Sequence, residues 1–249
     1  ETAVRKRSEK PQGMRLPGLF FIVVITLLTG IVCGATYTVT AGSGADLRNK
    51  IENVASAGDY IELPAGTYTL SSEIDWPDEN NITLRETAGG NSTNIIIEQD
   101  GTNQCRFARI GHVVSLSIQN VTIRNYGGEN WADDGAVFLL RGAVGVQLNI
   151  FSCRISGNRT DGEGSTSSGS DGGVFYSIDN DPIVNMRDSW IINNTAWYGG
   201  VAFKGTHEWR NCRIIGNRAN IDGGVARSGV HTWTDCYVEG NSAEWFGGA

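Results

Sequence analysis

The sequence repeats itself about every 24 residues over its last third, and this period restricts the fold more than any single motif. Four copies read CRISGN, SWIINN, CRIIGN and CYVEGN, starting at Cys153, Ser189, Cys212 and Cys236. A Gly-Gly pair and an apolar residue come after each copy, starting at Gly172, Gly199, Gly223 and Gly247. A fixed period of this length is typical of array proteins, in which each repeat is one structural unit stacked on the next.

The copies align column by column, and the alignment predicts the fold. Four columns result from it: Leu148, Val184, His207 and His231; Ile150, Met186, Trp209 and Trp233; Ile155, Ile191, Ile214 and Val238; Asn158, Asn194, Asn217 and Asn241. Short apolar bursts separated by Gly and Asn indicate short strands. We therefore expect residues 78–249 to form an all-β solenoid of ~24-residue coils with three short strands per coil. Equivalent residues would stack about 4.8 Å apart, the Asn column would bridge turns, and Gly-Gly would form a tight corner.

The first 35 residues have the composition of an export signal. Arg15 follows the first Met, Met14, and an apolar run from residue 16 to 32 ends at Cys33-Gly34-Ala35. A basic start, an apolar stretch and small residues describe a secretory signal peptide. We expect residues 1–35 to be an N-terminal extension and signal peptide, and the protein to be secreted or displayed on the cell surface. An uncleaved signal anchor is the alternative, because the run approaches the ~18 residues of a membrane span.

Residues 36–77 carry a different pattern, which predicts a cap and a first coil. Tyr37 to Thr40 alternates like a strand, and Leu47, Ile51 and Val54 have helical spacing within residues 46–55. A strand, a turn and a second strand come next over residues 58–68. This succession resembles the amino-terminal cap and first coil of pectin-lyase-like right-handed β-helices. The resemblance implies that residues 78–249 form a right-handed parallel β-helix and that a capping helix lies over residues 47–55.

The repeats themselves are similar to those of polymorphic outer membrane proteins, which are surface β-helix adhesins. The likeness rests on the Asn-x-Ala-x-x-x-Gly-Gly-Val string at 217–225 and, nearly, at 194–201, and it covers residues 117–249. Ile or Val stands here where the family has Phe, and Val-Ala or Val-Phe follows Gly-Gly. The sequence stops inside a repeat, and an array needs a terminal cap, so we expect residues 78–249 to be truncated at the C-terminal end.

Two irregular stretches, residues 125–135 and 159–171, interrupt the period at one corner and hold the candidate catalytic residues. Glu129, Asp133 and Asp134 are the carboxylates that a glycosidase would need in pairs and that a lyase would need for Ca²⁺. Of the polygalacturonase-like pattern only Asp-Asp-Gly is present; His112 stands in Ile-Gly-His-Val, and no Arg-x-Lys follows. We favour acidic residues in a solvated loop and no enzyme, with Ca²⁺ as a cofactor only under the enzymatic alternative.

The remaining His, Trp and Cys residues fall mostly into strand columns. His207 and His231 could share a metal, but no third ligand column lies beside them, so an aromatic–His ladder without a metal is expected. Cysteines remain at Cys105, Cys153, Cys212 and Cys236. Cys212 and Cys236 are within disulfide range as neighbours, yet parallel strands aim both side chains the same way; buried thiols are favoured and a disulfide stays open.

Five Asn-x-Ser/Thr sequons occur, and the columns separate them. Asn91 and Asn193 are the favoured glycosylation sites because one lies in a loop and the other beside the Asn column. Asn81, Asn120 and Asn158 are less favoured, since Asn158 itself belongs to that column.

The charge restricts the partners. Five of the 20 basic and two of the 27 acidic residues precede residue 36, so the remainder has 15 basic and 25 acidic residues, a net −10. This balance argues against nucleic acid. We expect a structural or adhesive role toward carbohydrate, other surface proteins or further copies, the last because unpaired strand edges template pairing. Membrane attachment would come only through a signal anchor or the missing C-terminal region. The alternative is a polysaccharide lyase or glycoside hydrolase.

Overall fold

The computed structural model describes residues 34–78, 81–88, 90–111, 115–128, 133–141, 145–160, 170–179 and 182–248. The chain separates into two compact units, residues 1–32 and 33–249, and all of the described residues belong to the second unit. The predicted extension and signal peptide at residues 1–35 therefore lies almost entirely outside the described residues. Within them, no helix has the length and apolar character needed to cross a membrane.

Short strands make up nearly all of the regular structure in these residues. In chain order the strands are β1 Thr36–Thr38, β2 Tyr60–Leu63, β3 Gly66–Leu70, β4 Ile74–Trp76, β5 Ile82–Glu86, β6 Ile95–Gln99, β7 Ala108–Ile110, β8 Leu116–Gln119, β9 Thr122–Arg124, β10 Gly127–Gly128, β11 Phe138–Leu140, β12 Gln147–Phe151, β13 Arg154–Ser156, β14 Arg159–Thr160, β15 Phe175–Ser177, β16 Ile183–Arg187, β17 Trp190–Ile192, β18 Thr195–Ala196, β19 Ala202–Phe203, β20 Thr206–Arg210, β21 Arg213–Ile215, β22 Arg218–Ala219, β23 Ala226–Arg227, β24 Val230–Thr234, β25 Tyr237–Glu239 and β26 Ser242–Ala243. Between β1 and β2 lie an α-helix, α1, at Gly44–Asn49 and a π-helical segment at Lys50–Val54.

The strands form four parallel sheets. Sheet 1 has the order β1-β2-β5-β8-β12-β16-β20-β24, sheet 2 the order β25-β21-β17-β13-β9-β6-β3, sheet 3 the order β23-β19-β15-β11-β7-β4, and sheet 4 the order β10-β14-β18-β22-β26. From β2 onward the chain visits sheets 1, 2 and 3 in turn, and from β10 onward it passes through sheet 4 between sheets 2 and 3. The prediction of an all-β parallel fold is confirmed, and this order is consistent with a solenoid-like stack.

The prediction of three strands per coil is wrong for the later coils. Sheet 4 adds a fourth, two-residue strand, which is too short to show the alternation that identifies a strand in a sequence. The predicted period of ~24 residues is kept where Asn185 pairs with Glu208, 23 residues on, whereas Asn149 pairs with Asn185, 36 residues on, across the stretch at 159–171 predicted to interrupt the period. The additional residues enter between strands, so the strand register is kept.

The predicted inward columns of the last coils lie in register. Leu148, Val184, His207 and His231 pair in sequence across sheet 1, and so do Ile150, Met186, Trp209 and Trp233. In sheet 2 the column is Ile155, Ile191, Ile214 and Val238. Nearly all of these side chains are buried in one continuous core, so the repeat specifies a shared interior.

The helix predicted over residues 46–55 is present at residues 44–54 and begins at a capped residue. Ser43 Oγ accepts a hydrogen bond from the Asp46 amide at 3.1 Å, which satisfies one of the free amides at the start of α1. Leu47 and Ile51 are fully buried, with α1 packed on β3 and the π-helical segment on β4. The apolar side of this helix therefore covers the first coil.

The Gly-Gly pair is explained by two different requirements at one corner. The first glycine of each pair has positive φ, 67° at Gly172 and 60° at Gly199, where glycine carries no steric penalty. The second glycine stacks closely on the next coil: a Cβ on Gly200 would lie 2.2 Å from the Gly224 carbonyl oxygen. The pair thus sets both the turn and the spacing between coils.

Candidate functional site

The Asn column forms a buried ladder. Each Oδ1 accepts from the side-chain amide of the Asn one coil earlier, at 2.8 Å for Asn158 to Asn194 and 2.9 Å for Asn194 to Asn217 and for Asn217 to Asn241. The same oxygens accept the backbone amides of Asn158, Asn194 and Asn217. Asn158, Asn194 and Asn217 are fully buried. These side chains replace backbone pairing at a turn and are thus committed to structure.

The two His residues stack inside sheet 1. The rings of His207 and His231 lie 5.0 Å apart, beside the stacked pair Trp209 and Trp233 at 5.9 Å. Nε2 of His207 lies 2.8 Å from the Lys204 carbonyl oxygen, and burial lowers the pKa of His207 to about 3. Among the described residues, no three His, Cys, Asp or Glu side chains cluster closely enough to hold a metal ion. The column packs as aromatic filling.

All four described cysteines are free thiols. Cys153 and Cys212 are buried, and burial raises the pKa of both to about 12, while the pKa of Cys105 rises to about 11. The thiols of Cys153, Cys212 and Cys236 each lie 3.3–3.4 Å from the carbonyl oxygen two residues earlier. The raised pKa values keep Cys105, Cys153 and Cys212 protonated at neutral pH, so these three act as packing residues rather than nucleophiles.

The sequons differ in exposure. Asn91 and Asn193 are exposed, and so is Asn81, whereas Asn120 is half-buried and Asn158 is buried in the ladder. Asn120 donates its amide to Glu86 at 2.7 Å. Glycosylation at Asn91 and Asn193 stays a prediction, and the exposure of Asn81 places it with them rather than with Asn120.

The acidic corner has a different membership from the predicted one. Glu129 lies outside the described residues. Asp133 is exposed and sits 3.5 Å from the buried Arg106, which also binds Glu73 at 2.8 Å. Asp134 is more deeply placed and accepts the Asp171 amide at 3.1 Å.

Asp171 and Tyr176 complete this corner. Both donate a hydrogen bond to the Asp134 carboxylate, Asp171 from its backbone amide and Tyr176 from its hydroxyl. Burial and the neighbouring Asp134 raise the pKa of Asp171 to about 7, and burial raises the pKa of Asp134. Oδ1 of Asp171 has no hydrogen-bond partner among the described residues. The Asp171 carboxyl group is therefore partly protonated near neutral pH.

A groove of about 650 Å³ opens on the outward face of sheet 2. Its floor comes from β6, β9, β13 and β17, and its rim from the turns at residues 91–93, 120, 152 and 188. The lining combines hydroxyl and amide groups with Arg124, Arg154 and Trp190. Concave sites with an apolar body and a few directed polar groups are the usual ligand sites.

An Arg–Trp–Arg column runs through this groove and past it. Arg154 pairs with Trp190 and Trp190 with Arg213 across β13, β17 and β21. The guanidinium carbons lie 5.7 Å and 4.9 Å from the Trp190 ring centroid. The Trp190 side chain is 41% exposed. Such contacts hold arginine side chains through cation–π attraction.

The sequence contains a signal from which this column could have been predicted. Arg154, Trp190 and Arg213 are each the second residue of a repeat copy, after Cys153, Ser189 and Cys212, so the alignment already places them on one outward line. The groove's other wall comes from residues 91–93, in a coil without recognisable repeat letters. Asp171 likewise occupies the position of Asp134, one residue before the corner glycine.

Comparisons with protein-family models, with curated proteins and with solved structures find no match to this chain.

Proposed function

We propose that the chain is a secreted or cell-surface right-handed parallel β-helix with a structural and adhesive role, and that it binds carbohydrate through the groove on sheet 2. Right-handed coiling is supported by the strong preference of parallel strand connections for that hand. Export is supported by the pattern of residues 1–35, and adhesion by the resemblance of the repeats to polymorphic outer membrane proteins.

The groove is the observation that carries the proposal. Its Asn, Ser and Thr side chains both donate and accept hydrogen bonds, as sugar hydroxyls do. Trp190 adds exposed aromatic surface beside them. Buried positions of the same coils are occupied by the Asn ladder and the His–Trp stack, whereas the outward side chains of the groove remain accessible to a ligand.

Binding of the full chain to a glycan array tests the proposal. Trp190→Leu should abolish most of the signal, because it removes the central aromatic of the groove. Trp245→Leu is the matched control, since Trp245 is 71% exposed and lies on another part of the chain. Equal binding by both variants, or no binding by the wild type, would contradict the proposal.

The enzymatic alternative has one observation in its favour, the paired Asp134 and Asp171. A carboxyl group with a raised pKa beside a second carboxylate is the arrangement of a glycosidase general acid and the carboxylate that acts as its base or nucleophile. Turnover of acidic polysaccharides, with and without Ca²⁺, should be measured for the wild type and for Asp134→Asn and Asp171→Asn. Activity lost in both variants would establish the alternative and displace a purely adhesive role.

A further inference from the structure

We infer that the groove on sheet 2 takes a polysaccharide bearing carboxylate or sulfate groups, bound by Arg154 and Arg213 on either side of Trp190. The inference rests on the proposed carbohydrate binding and names its ligand class. Guanidinium groups bind such anions through paired N–H donors.

The two arginines have unused charge. Both are exposed, and among the described residues no carboxylate lies within ion-pair distance of either guanidinium. Two other outward arginines do have acidic partners: Arg124 on sheet 2 pairs with Glu98 at 2.7 Å, and Arg85 on sheet 1 pairs with Glu62 at 2.8 Å. Arg154 and Arg213 instead lie against the Trp190 ring. They are available to an external anion.

Trp190 fixes the spacing of the two charges. Arg154 and Arg213 stand two strands apart in one column, a separation of about 9.6 Å at the strand spacing of parallel sheets. The ring between them restricts both side chains, so that less conformational freedom is lost on binding. Two preorganised cations at this distance suit an extended polymer with regularly spaced anions that runs across the strands.

The surrounding charge favours a polysaccharide over a nucleic acid. Asp188 lines the groove, and Glu98 and Glu239 flank the column on the same face of sheet 2. Double-stranded DNA has a charge about every 1.7 Å and would set phosphates against these carboxylates. A chain with sparser charges can meet the arginines alone.

Titration of the full chain with polygalacturonate, dextran sulfate, neutral dextran and double-stranded DNA tests the inference. The wild type should bind one or both of the anionic polysaccharides, and binding should weaken as salt rises. Arg154→Ala/Arg213→Ala should raise the Kd at least about tenfold, the loss of two charge-assisted contacts. Arg154→Lys/Arg213→Lys should lose less, since it keeps the charge without the guanidinium fork.

The control double variant is Arg187→Ala/Arg210→Ala. It removes the same charge from exposed in-register neighbours on sheet 1, and it should bind as the wild type does. Equal losses in both double variants, or equal binding of DNA and polysaccharide, would overturn the inference. Binding of neutral dextran that needs Trp190 but neither arginine would overturn it while leaving the proposed function standing. No Trp190-dependent binding of any glycan would end both.

Discussion

At the scale of single residues, Asp171 is the group whose surroundings conflict most with its charge. It is 8% exposed, its Oδ1 has no hydrogen-bond partner among the described residues, and it lies against Asp134. The positive charges of Arg227 and Lys204 favour the charged form of Asp171. The Tyr176 hydroxyl donates its hydrogen bond to Asp134 instead. Burial outweighs these cations, and the pKa of Asp171 rises to about 7.

This titration predicts a pH-dependent stability with a definite sign. The folded pKa is above the ordinary value of about 3.9, so the folded state favours the protonated form. The associated stability is fully present below about pH 4 and is lost as pH rises through about 7. Asp171→Asn keeps the shape without the charge and should raise the free energy of unfolding at pH 8 by about 2–4 kcal/mol, with little change at pH 4.

Denaturant unfolding of the two proteins at pH 4, 6 and 8 measures this difference. Asp235→Asn is the control, because Asp235 is exposed and Asn tolerates its positive φ of 54°. A difference between wild type and Asp171→Asn that is the same at all three pH values would contradict the assignment.

At the scale of the element, the corner after sheet 4 sets how closely the coils stack. Gly173, Gly200 and Gly224 each face the carbonyl of the equivalent glycine one coil on. A methyl group there has no room, since 2.2 Å is far below a van der Waals contact and the opposing atom is backbone. The preceding residues, Gly172, Gly199 and Gly223, have positive φ, a backbone conformation that favours glycine for a different reason. The two requirements together explain why glycines occur in pairs.

Gly200→Ala should therefore destabilise the protein by about 3 kcal/mol or more, as overpacking against backbone does. Gly145→Ala is the control for an added methyl group without a clash: its φ is 90°, but nothing lies within 4 Å of the added Cβ, so the cost should be about 1–2 kcal/mol. Thermal unfolding of both variants checks the comparison. Because Gly200 does not have a positive φ, a loss at Gly200 no larger than that at Gly145 would contradict the role of the second glycine in coil spacing.

Sequence periodicity predicts those elements whose side chains repeat. The columns through His207, Trp209, Ile214 and Asn217 are predictable from the alignment because each coil places the same kind of residue on the same line. Sheet 4 is not, because a two-residue strand is too short to show the alternation that identifies a strand, although its Ala196 and Ala219 repeat from coil to coil. Only one side of the groove can be predicted from the sequence, because its arginine–tryptophan column is periodic. The wall at residues 91–93 is brought close by coil stacking, and no local sequence pattern indicates that proximity.

At the scale of the described array, interior and exterior divide the chain's chemistry. His, Cys and Asn columns that would otherwise suggest catalysis face inward and are hydrogen-bonded or packed. The acidic balance of residues 36–249 is interrupted on sheet 2 by Arg154 and Arg213, which have no carboxylate within ion-pair distance among the described residues. The proposed binding function lies on one outward face, and the corner at Asp134 and Asp171 is the site of the enzymatic alternative.

Hydrogen–deuterium exchange of the full chain tests this claim most directly, with and without whichever of polygalacturonate, dextran sulfate or dextran binds most tightly. The account predicts slower exchange in the peptides that contain residues 90–97, 120–124, 152–156 and 187–192, which surround the groove. Slower exchange confined to residues 133–141 and 170–178, or unchanged exchange around the groove at saturating polysaccharide, would contradict it.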